Sequence, residues 1–211
     1  MPRDHGSFPD RARVALLLID VINAIDFPEA SSLLEQAIPM AKQLAILKRR
    51  AKEAGVPSIY VNDNFGRWKS DFQHIVRHCT SKSARGAAVA SRLRPQSNDY
   101  FVLKPMHSGF YSTTLEVLLE YLCVDTLILT GIATNICVLF TANDAYMRDY
   151  TLYVPCDCVA ANTAKENTGA LDDMKRLLKA DIRPSEEIDF KKLAGVPSRN
   201  RAASNGADQR L

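Results

Sequence analysis

Short apolar runs alternate with segments of helical periodicity along most of this 211-residue chain. The first run, Val14 to Ile19, contains no polar residue, which is typical of a strand buried on both faces of a sheet. Further strands are predicted at residues 57–61, 100–103, 126–130 and 151–154, with a short sixth strand near Ile182. Strands that alternate with helices predict an α/β fold whose mostly parallel sheet is covered by helices on both faces.

Helices are predicted between these strands from the spacing of large apolar residues and from their end signals. Pro39 suits a first helical turn and Gly55 suits a helix stop, so one helix is predicted between them. Further helices are predicted at residues 113–122, 135–148 and 163–179. Residues 64–98 are polar and irregular, and only short helical stretches are expected there.

Length and composition favour one domain. The chain is 46% apolar and 24% charged, as is ordinary for a globular protein. We expect an N-terminal arm over residues 1–12, a single domain over 13–195 and a disordered tail over 196–211.

The charge and the cysteines bear on location and partners. The net charge is only +3, and basic residues are not interleaved with aromatic ones, so no nucleic-acid partner is expected. The early apolar run is too short to cross a bilayer, and no signal core precedes it. The five cysteines are an odd number and are typical of free thiols. We therefore expect a cytoplasmic protein with no membrane partner.

Three chemically capable side chains follow three different predicted strands. Asp20, Lys104 and Cys137 all fall at carboxyl ends, where ligands bind in parallel α/β sheets. Cys137 is expected in the first turn of a helix, where backbone N–H groups and Lys104 would lower its pKa and favour the thiolate. Taken singly, each residue has a plainer interpretation: a small core side chain for Cys137, a helix cap or turn residue for Asp20, and a solvated surface residue for Lys104.

Other motifs give little support for a metal or a cofactor. Cys156 and Cys158 form a lone C-x-C pair without a second pair of ligands. His74 and His78 are spaced four residues apart without an acidic partner, which favours a solvated helix face. Neither a P-loop nor a G-x-G-x-x-G motif occurs, so a nucleotide cofactor is not supported. We therefore expect neither a metal nor a cofactor.

The strand-end residues resemble those of the isochorismatase-like cysteine hydrolase superfamily, which includes nicotinamidases and N-carbamoylsarcosine amidohydrolases. The resemblance rests on Asp20, on Lys104 before Ser108 and Phe110, and on the segment from Gly131 to Cys137, and it covers residues 13–185. It implies a three-layer, Rossmann-like fold with a six-stranded parallel sheet. It also implies homo-oligomers, either dimers or tetramers.

The same resemblance implies an Asp20–Lys104–Cys137 catalytic triad. A cis peptide between Ile132 and Ala133 and an oxyanion hole made by the N–H groups of Ala133 and Cys137 would complete the site. The implied reaction cleaves a small-molecule amide or carbamoyl C–N bond through a Cys137 thioester. Substrate contacts are predicted from loop position at Phe27, Trp68, His107 and Phe110.

Departures from the family pattern narrow this prediction. Asp63 is followed by Asn64 and Phe65, so the Asp-x-His metal site of nicotinamidases is missing and a zinc-dependent nicotinamidase is not expected. True isochorismatases cleave a vinyl ether and commonly lack the cysteine, whereas this chain has Cys137. Two alternatives stay open: a vinyl-ether hydrolase that uses Asp20 as its acid, and a catalytically idle binding protein on the same fold.

Overall fold

A six-stranded, all-parallel sheet forms the centre of the computed structural model, which describes residues 11–28, 30–65 and 71–195. The strand order is β3-β2-β1-β4-β5, and β6 pairs with the end of β4. The strands are β1 (Val14–Ile19), β2 (Ser58–Asp63), β3 (Tyr100–Lys104), β4 (Thr126–Ile132), β5 (Thr151–Tyr153) and β6 (Val159–Ala160). The predicted fold class, a three-layer parallel α/β fold, is confirmed.

Helices cover both faces of this sheet. They are α1 (Ala30–Glu53), α2 (Phe72–Cys79), α3 (Ala87–Arg92), α4 (Leu115–Tyr121), α5 (Leu139–Tyr146), α6 (Ala164–Leu178) and α7 (Phe190–Gly195). Helices α1, α2, α3 and α7 contribute to the core on one face, and α4, α5 and α6 contribute to the core on the other.

The central position of β1 in the sheet explains why its sequence is continuously apolar. Val14, Leu16 and Leu18 pack into the α1 side of the core, while the alternating residues Leu17 and Ile19 pack into the α4–α6 side. Side chains of a strand point alternately to opposite faces, so a central strand with helices on both sides needs apolar residues at every position.

Two predictions about elements are wrong. Helix α1 begins at Ala30 rather than at Pro39, which lies in its interior. Proline leaves the carbonyl four residues earlier without its helical partner, but Glu35 and Pro39 are both exposed, so water can satisfy that carbonyl.

The sixth strand is β6 and not a strand near Ile182, where Asp181 makes only an isolated bridge to Tyr153. A two-residue strand carries no period-2 pattern that a sequence could reveal.

Several predictions concern residues outside the described ranges. The predicted C-terminal tail, most of the predicted N-terminal arm and Trp68 lie there. Among the helices of the described part of the chain, none has the length and apolar composition needed to cross a membrane.

Candidate active site

Asp20 follows the last residue of β1 and is buried, with only 4% of its surface exposed. Its backbone N–H donates to the carbonyl of Val61, so the chain stays attached to β2 for one residue beyond the strand. Its φ of 51° lies in the left-handed region, which aspartate tolerates better than most residues. The turn directs the carboxylate toward β2 and β3, where the N–H of Asp63 donates to Oδ1 over 2.7 Å.

Lys104 is the last residue of β3, and its side chain is fully buried. Its Nζ lies 2.8 Å from Asp20 Oδ2 and 3.1 Å from the carbonyl oxygen of Met106. The same nitrogen lies 3.6 Å from Cys137 Sγ, within hydrogen-bond reach of a sulfur atom. Lys104 therefore joins the carboxyl group and the thiol at the carboxyl edge of the sheet.

Cys137 lies in a turn of π-helix, Thr134–Val138, which comes directly before α5. Strand β4 ends at Ile132, and the peptide bond between Ile132 and Ala133 is cis. The N–H of Val138 then donates to the carbonyl of Ala133 five residues earlier, which is the π-helical spacing. The thiol is partly buried.

The expected lowering of the Cys137 pKa is wrong. Burial and the nearby Asp20 carboxylate raise this pKa from 9.0 to about 12, and the opposing effect of Lys104 is smaller. The prediction rested on the first turn of a helix and on Lys104, whereas the thiol also faces the buried carboxylate of Asp20. The resting sulfur is therefore a protonated thiol.

Asp20 and Lys104 both have raised pKa values. Burial raises the pKa of Asp20 and outweighs the stabilisation of the carboxylate by Lys104. Burial alone would lower the pKa of Lys104, but the facing carboxylate of Asp20 reverses this effect. The pair thus combines a carboxyl group able to exchange protons with a cation that stays charged.

The loop after β3 is fastened to α5, the helix that follows Cys137. Ser108 Oγ donates to Asp144 Oδ2 over 2.5 Å, and the N–H of Gly109 donates to Thr141 Oγ1 over 3.0 Å. Thr141 Oγ1 in turn donates to the carbonyl of Cys137 over 2.7 Å. These bonds fix the position of the loop relative to the thiol.

His107 lies on this loop and is exposed at the solvent side of the thiol. Its Nδ1 is 3.9 Å from Cys137 Sγ, and its ring centroid lies 5.5 Å from that of Phe140. Of the predicted substrate contacts that lie within the described ranges, His107 is the one with a direct contact to the thiol.

The other three have different surroundings. Phe110 is buried in the core on the α4–α6 side, with its ring 6.0 Å from that of Tyr150, an environment typical of a packing residue. Phe27 is partly buried and packs against the core on the α1 side. Their substrate contacts stay predictions, as does that of Trp68, which lies outside the described residues.

Asp63 contacts both Asp20 and Lys104, although it was not among the predicted site residues. Its N–H donates to Asp20, and its own Oδ2 lies 3.8 Å from Lys104 Nζ. The available signal was its position at the end of β2, next to β1 and β3. Across the described ranges, His, Cys, Asp and Glu side chains nowhere gather in groups of three or more that could hold a metal ion.

A parallel α/β sheet with a thiol, a carboxyl group and an ammonium group at one carboxyl edge has the form of a small-molecule hydrolase. The family model described as the isochorismatase domain matches residues 14–186. The chain belongs to the isochorismatase family and is a hydrolase of that family.

Named relatives extend this result. The chain is 42% identical over 178 residues to an uncharacterized isochorismatase family protein, YaaI, of Bacillus subtilis, covering 84% of this chain and 97% of that protein. It is 30% identical to the ureidoacrylate amidohydrolase RutB of Methylobacterium radiotolerans, covering 94% and 85% respectively. A solved structure of N-carbamoylsarcosine amidase from Thermoplasma acidophilum matches with a TM-score of 0.67 and 29% identity, covering 84% and 99%.

Proposed function

We propose that this protein is a cysteine hydrolase that cleaves an amide or carbamoyl C–N bond of a small molecule. The observation that carries the proposal is the position of Lys104 Nζ, 2.8 Å from Asp20 Oδ2 and 3.6 Å from Cys137 Sγ. The amidohydrolase and amidase names of two relatives support the bond type.

The proposed acylation half begins with proton transfer, because the resting thiol is protonated. Asp20 accepts the proton, and the sulfur of Cys137 forms a bond to the carbonyl carbon. The carbonyl electron pair moves to oxygen, and we propose that the N–H groups of Ala133 and Cys137 hold this oxyanion. Collapse of the intermediate breaks the C–N bond, and Asp20 gives its proton to the leaving nitrogen. A thioester and a free amine or ammonia result.

The deacylation half uses the same carboxylate. Asp20 takes a proton from water as the remaining hydroxyl adds to the thioester carbonyl carbon. Collapse breaks the C–S bond, and the Cys137 sulfur recovers its proton from Asp20. The second product is a carboxylic or carbamic acid.

Lys104 has an electrostatic part in both halves. Its ammonium offsets negative charge that moves between Asp20 and Cys137, and its full burial keeps solvent from weakening these interactions. His107 is exposed and its Nδ1 lies 3.9 Å from the sulfur, so we propose that it contacts the part of the substrate nearest to solvent.

A cytoplasmic location and assembly into dimers or tetramers stay predictions. All five cysteines are free thiols, which supports a reducing compartment. Apolar side chains are exposed along the Cys137 turn, α5 and the residue after it, which supports contact with a second copy. These side chains are Ile136, Phe140 and Met147. Light scattering coupled to gel filtration measures that assembly.

The test is a screen of small amides and carbamoyl compounds with ammonia release as the readout. On any accepted substrate, Cys137→Ala should lose at least about 1,000-fold in kcat/KM. Cys79→Ala, which removes a buried free thiol outside the site, is the matched control and should retain activity. Mass spectrometry of the wild-type protein mixed rapidly with substrate should detect an acyl adduct on Cys137.

Survival of amide turnover in Cys137→Ala would overturn the proposal, and cleavage of a vinyl ether by that variant would favour a vinyl-ether hydrolase that uses Asp20 alone. An inert wild-type protein across the whole screen would favour the idle binding protein instead.

A further inference from the structure

The Lys104 ammonium has three N–H bonds, but four acceptors surround it within the described part of the chain. The two nearest are Asp20 Oδ2 at 2.8 Å and the Met106 carbonyl at 3.1 Å. Of the two farther ones, Cys137 Sγ at 3.6 Å is within hydrogen-bond reach of a sulfur atom, and Asp63 Oδ2 at 3.8 Å lies at ion-pair distance only. The sulfur and the second carboxylate therefore share the positive charge of one ammonium group.

Asp63 is held firmly in this competing position. It is the last residue of β2 and pairs in register with Lys104 on β3. Its N–H donates to Asp20 Oδ1, and its Oδ1 accepts from the N–H of Phe65 over 2.5 Å. The side chain is only 34% exposed, so its charge is partly shielded from water.

We propose that Asp63 is a positioning residue that controls how readily the Cys137 thiol ionises, by offsetting part of the Lys104 charge that favours the thiolate. This inference rests on the proposed function, because it assigns the purpose of that control to the acylation step. The Lys104 ammonium lies between the carboxyl groups of Asp20 and Asp63, and the proton of the thiol stays in place until Asp20 removes it.

Charged and titratable groups surround the Lys104–Cys137 pair. Asp20 comes from β1, Asp63 from β2 and Lys104 from β3, while His107 comes from the loop that follows β3. Burial and the Asp20 carboxylate hold the pKa of the thiol at about 12, and Lys104 is the group that lowers it. Removal of the Asp63 carboxylate should strengthen that lowering effect, so the pKa of the thiol should fall.

The test measures alkylation of Cys137 by iodoacetamide, followed by peptide mass mapping to distinguish Cys137 from the other four cysteines. Asp63→Asn keeps the shape of the side chain and an acceptor for Phe65 but removes the charge. The Lys104 charge is then offset by one carboxylate, that of Asp20, instead of two. We expect the alkylation rate at pH 8 to rise about tenfold, equal to a fall of about one unit in the pKa of the thiol.

Two further variants make the result specific. Asp125→Asn is the matched control, because this partly exposed aspartate pairs with Arg13 beside Thr126, where β4 begins at the opposite end of the sheet. It should leave the alkylation rate unchanged. In a Lys104→Met background, Asp63→Asn should have little effect, since the residue through which Asp63 acts is gone.

An Asp63→Asn alkylation rate within twofold of the wild type, or a slower one, would overturn the inference. A changed KM with an unchanged alkylation rate would instead place Asp63 against the substrate. Alkylation reports on the thiol without any turnover, so a tenfold rise together with an empty amide screen would refute the proposed function and leave the control of the thiol standing.

Discussion

Asp20 and Lys104 form an ion pair with an Nζ–Oδ2 distance of 2.8 Å, and their side chains are 6% and 0% exposed. A buried pair of this kind gains little over an apolar pair, but loss of one partner leaves the other charge without compensation. The stability of the fold therefore depends on keeping both members of this buried pair.

Substitution of Lys104 alone should therefore destabilise the protein strongly. We expect Lys104→Met to lower the free energy of unfolding by about 3–5 kcal/mol, because Asp20 is then buried without its cation. The double variant Asp20→Asn with Lys104→Met should recover part of this loss. Urea unfolding at pH 7, followed by circular dichroism, measures all three proteins.

Arg49→Met is the control for loss of an ion pair at the surface. Arg49 and Glu53 lie 3.9 Å apart with both side chains 68% exposed, so less than about 1 kcal/mol should be lost. Equal losses in Arg49→Met and Lys104→Met would contradict the cost assigned to the buried pair.

The raised pKa of the Cys137 thiol predicts how stability changes at alkaline pH. In the unfolded chain this thiol loses its proton near pH 9.0, whereas in the folded protein it keeps the proton until about 12. The folded state therefore binds the proton more tightly, and its contribution to stability is complete below pH 9.0 and is lost as the pH rises toward 12.

Removal of the thiol should remove this part of the pH dependence. Between pH 8 and 11, the free energy of unfolding should fall more steeply for the wild type than for Cys137→Ala. Cys137→Ser should behave like Cys137→Ala, because a serine hydroxyl does not ionise in this range. Parallel slopes for the wild type and both variants, in denaturant titrations at each pH, would show that the thiol has no raised pKa.

The close approach of β4 to β1 predicts that Gly131 cannot be replaced. Its φ is 111°, and a Cβ atom on it would lie 2.0 Å from the carbonyl oxygen of Ile19. Gly131→Ala should lower the free energy of unfolding by at least about 2 kcal/mol, since the backbone conformation and the overlap each cost about 1–3 kcal/mol. Thermal unfolding measures the change.

Gly169 offers a matched control within α6. A Cβ there meets nothing within 4 Å, and alanine favours the interior of a helix by about 0.5–1 kcal/mol. Gly169→Ala should therefore raise the melting temperature slightly. If Gly131→Ala melted as high as Gly169→Ala, the two strands could not lie as close together as described.

Much of this architecture was predictable because burial imposes simple patterns. The uninterrupted apolar run of β1 follows from its central place in the sheet, with helices on both faces. Strand β6 was not predictable in the same way, because two residues that complete a ladder beside β4 leave no periodic pattern. The interior position of Pro39 was missed for a related reason: a proline tolerated on a solvent-facing turn looks the same in a sequence as one that starts a helix.

The sequence by itself determined which residue types stand at the carboxyl ends of the strands, Asp20, Lys104 and the turn that leads to Cys137, since strand ends follow from local pattern. Only the tertiary structure decided the protonation of the thiol and the involvement of Asp63. Both depend on burial and on distances between charges that lie far apart along the chain. Electrostatic energies vary with those distances and with access to water, and neither is written in local sequence.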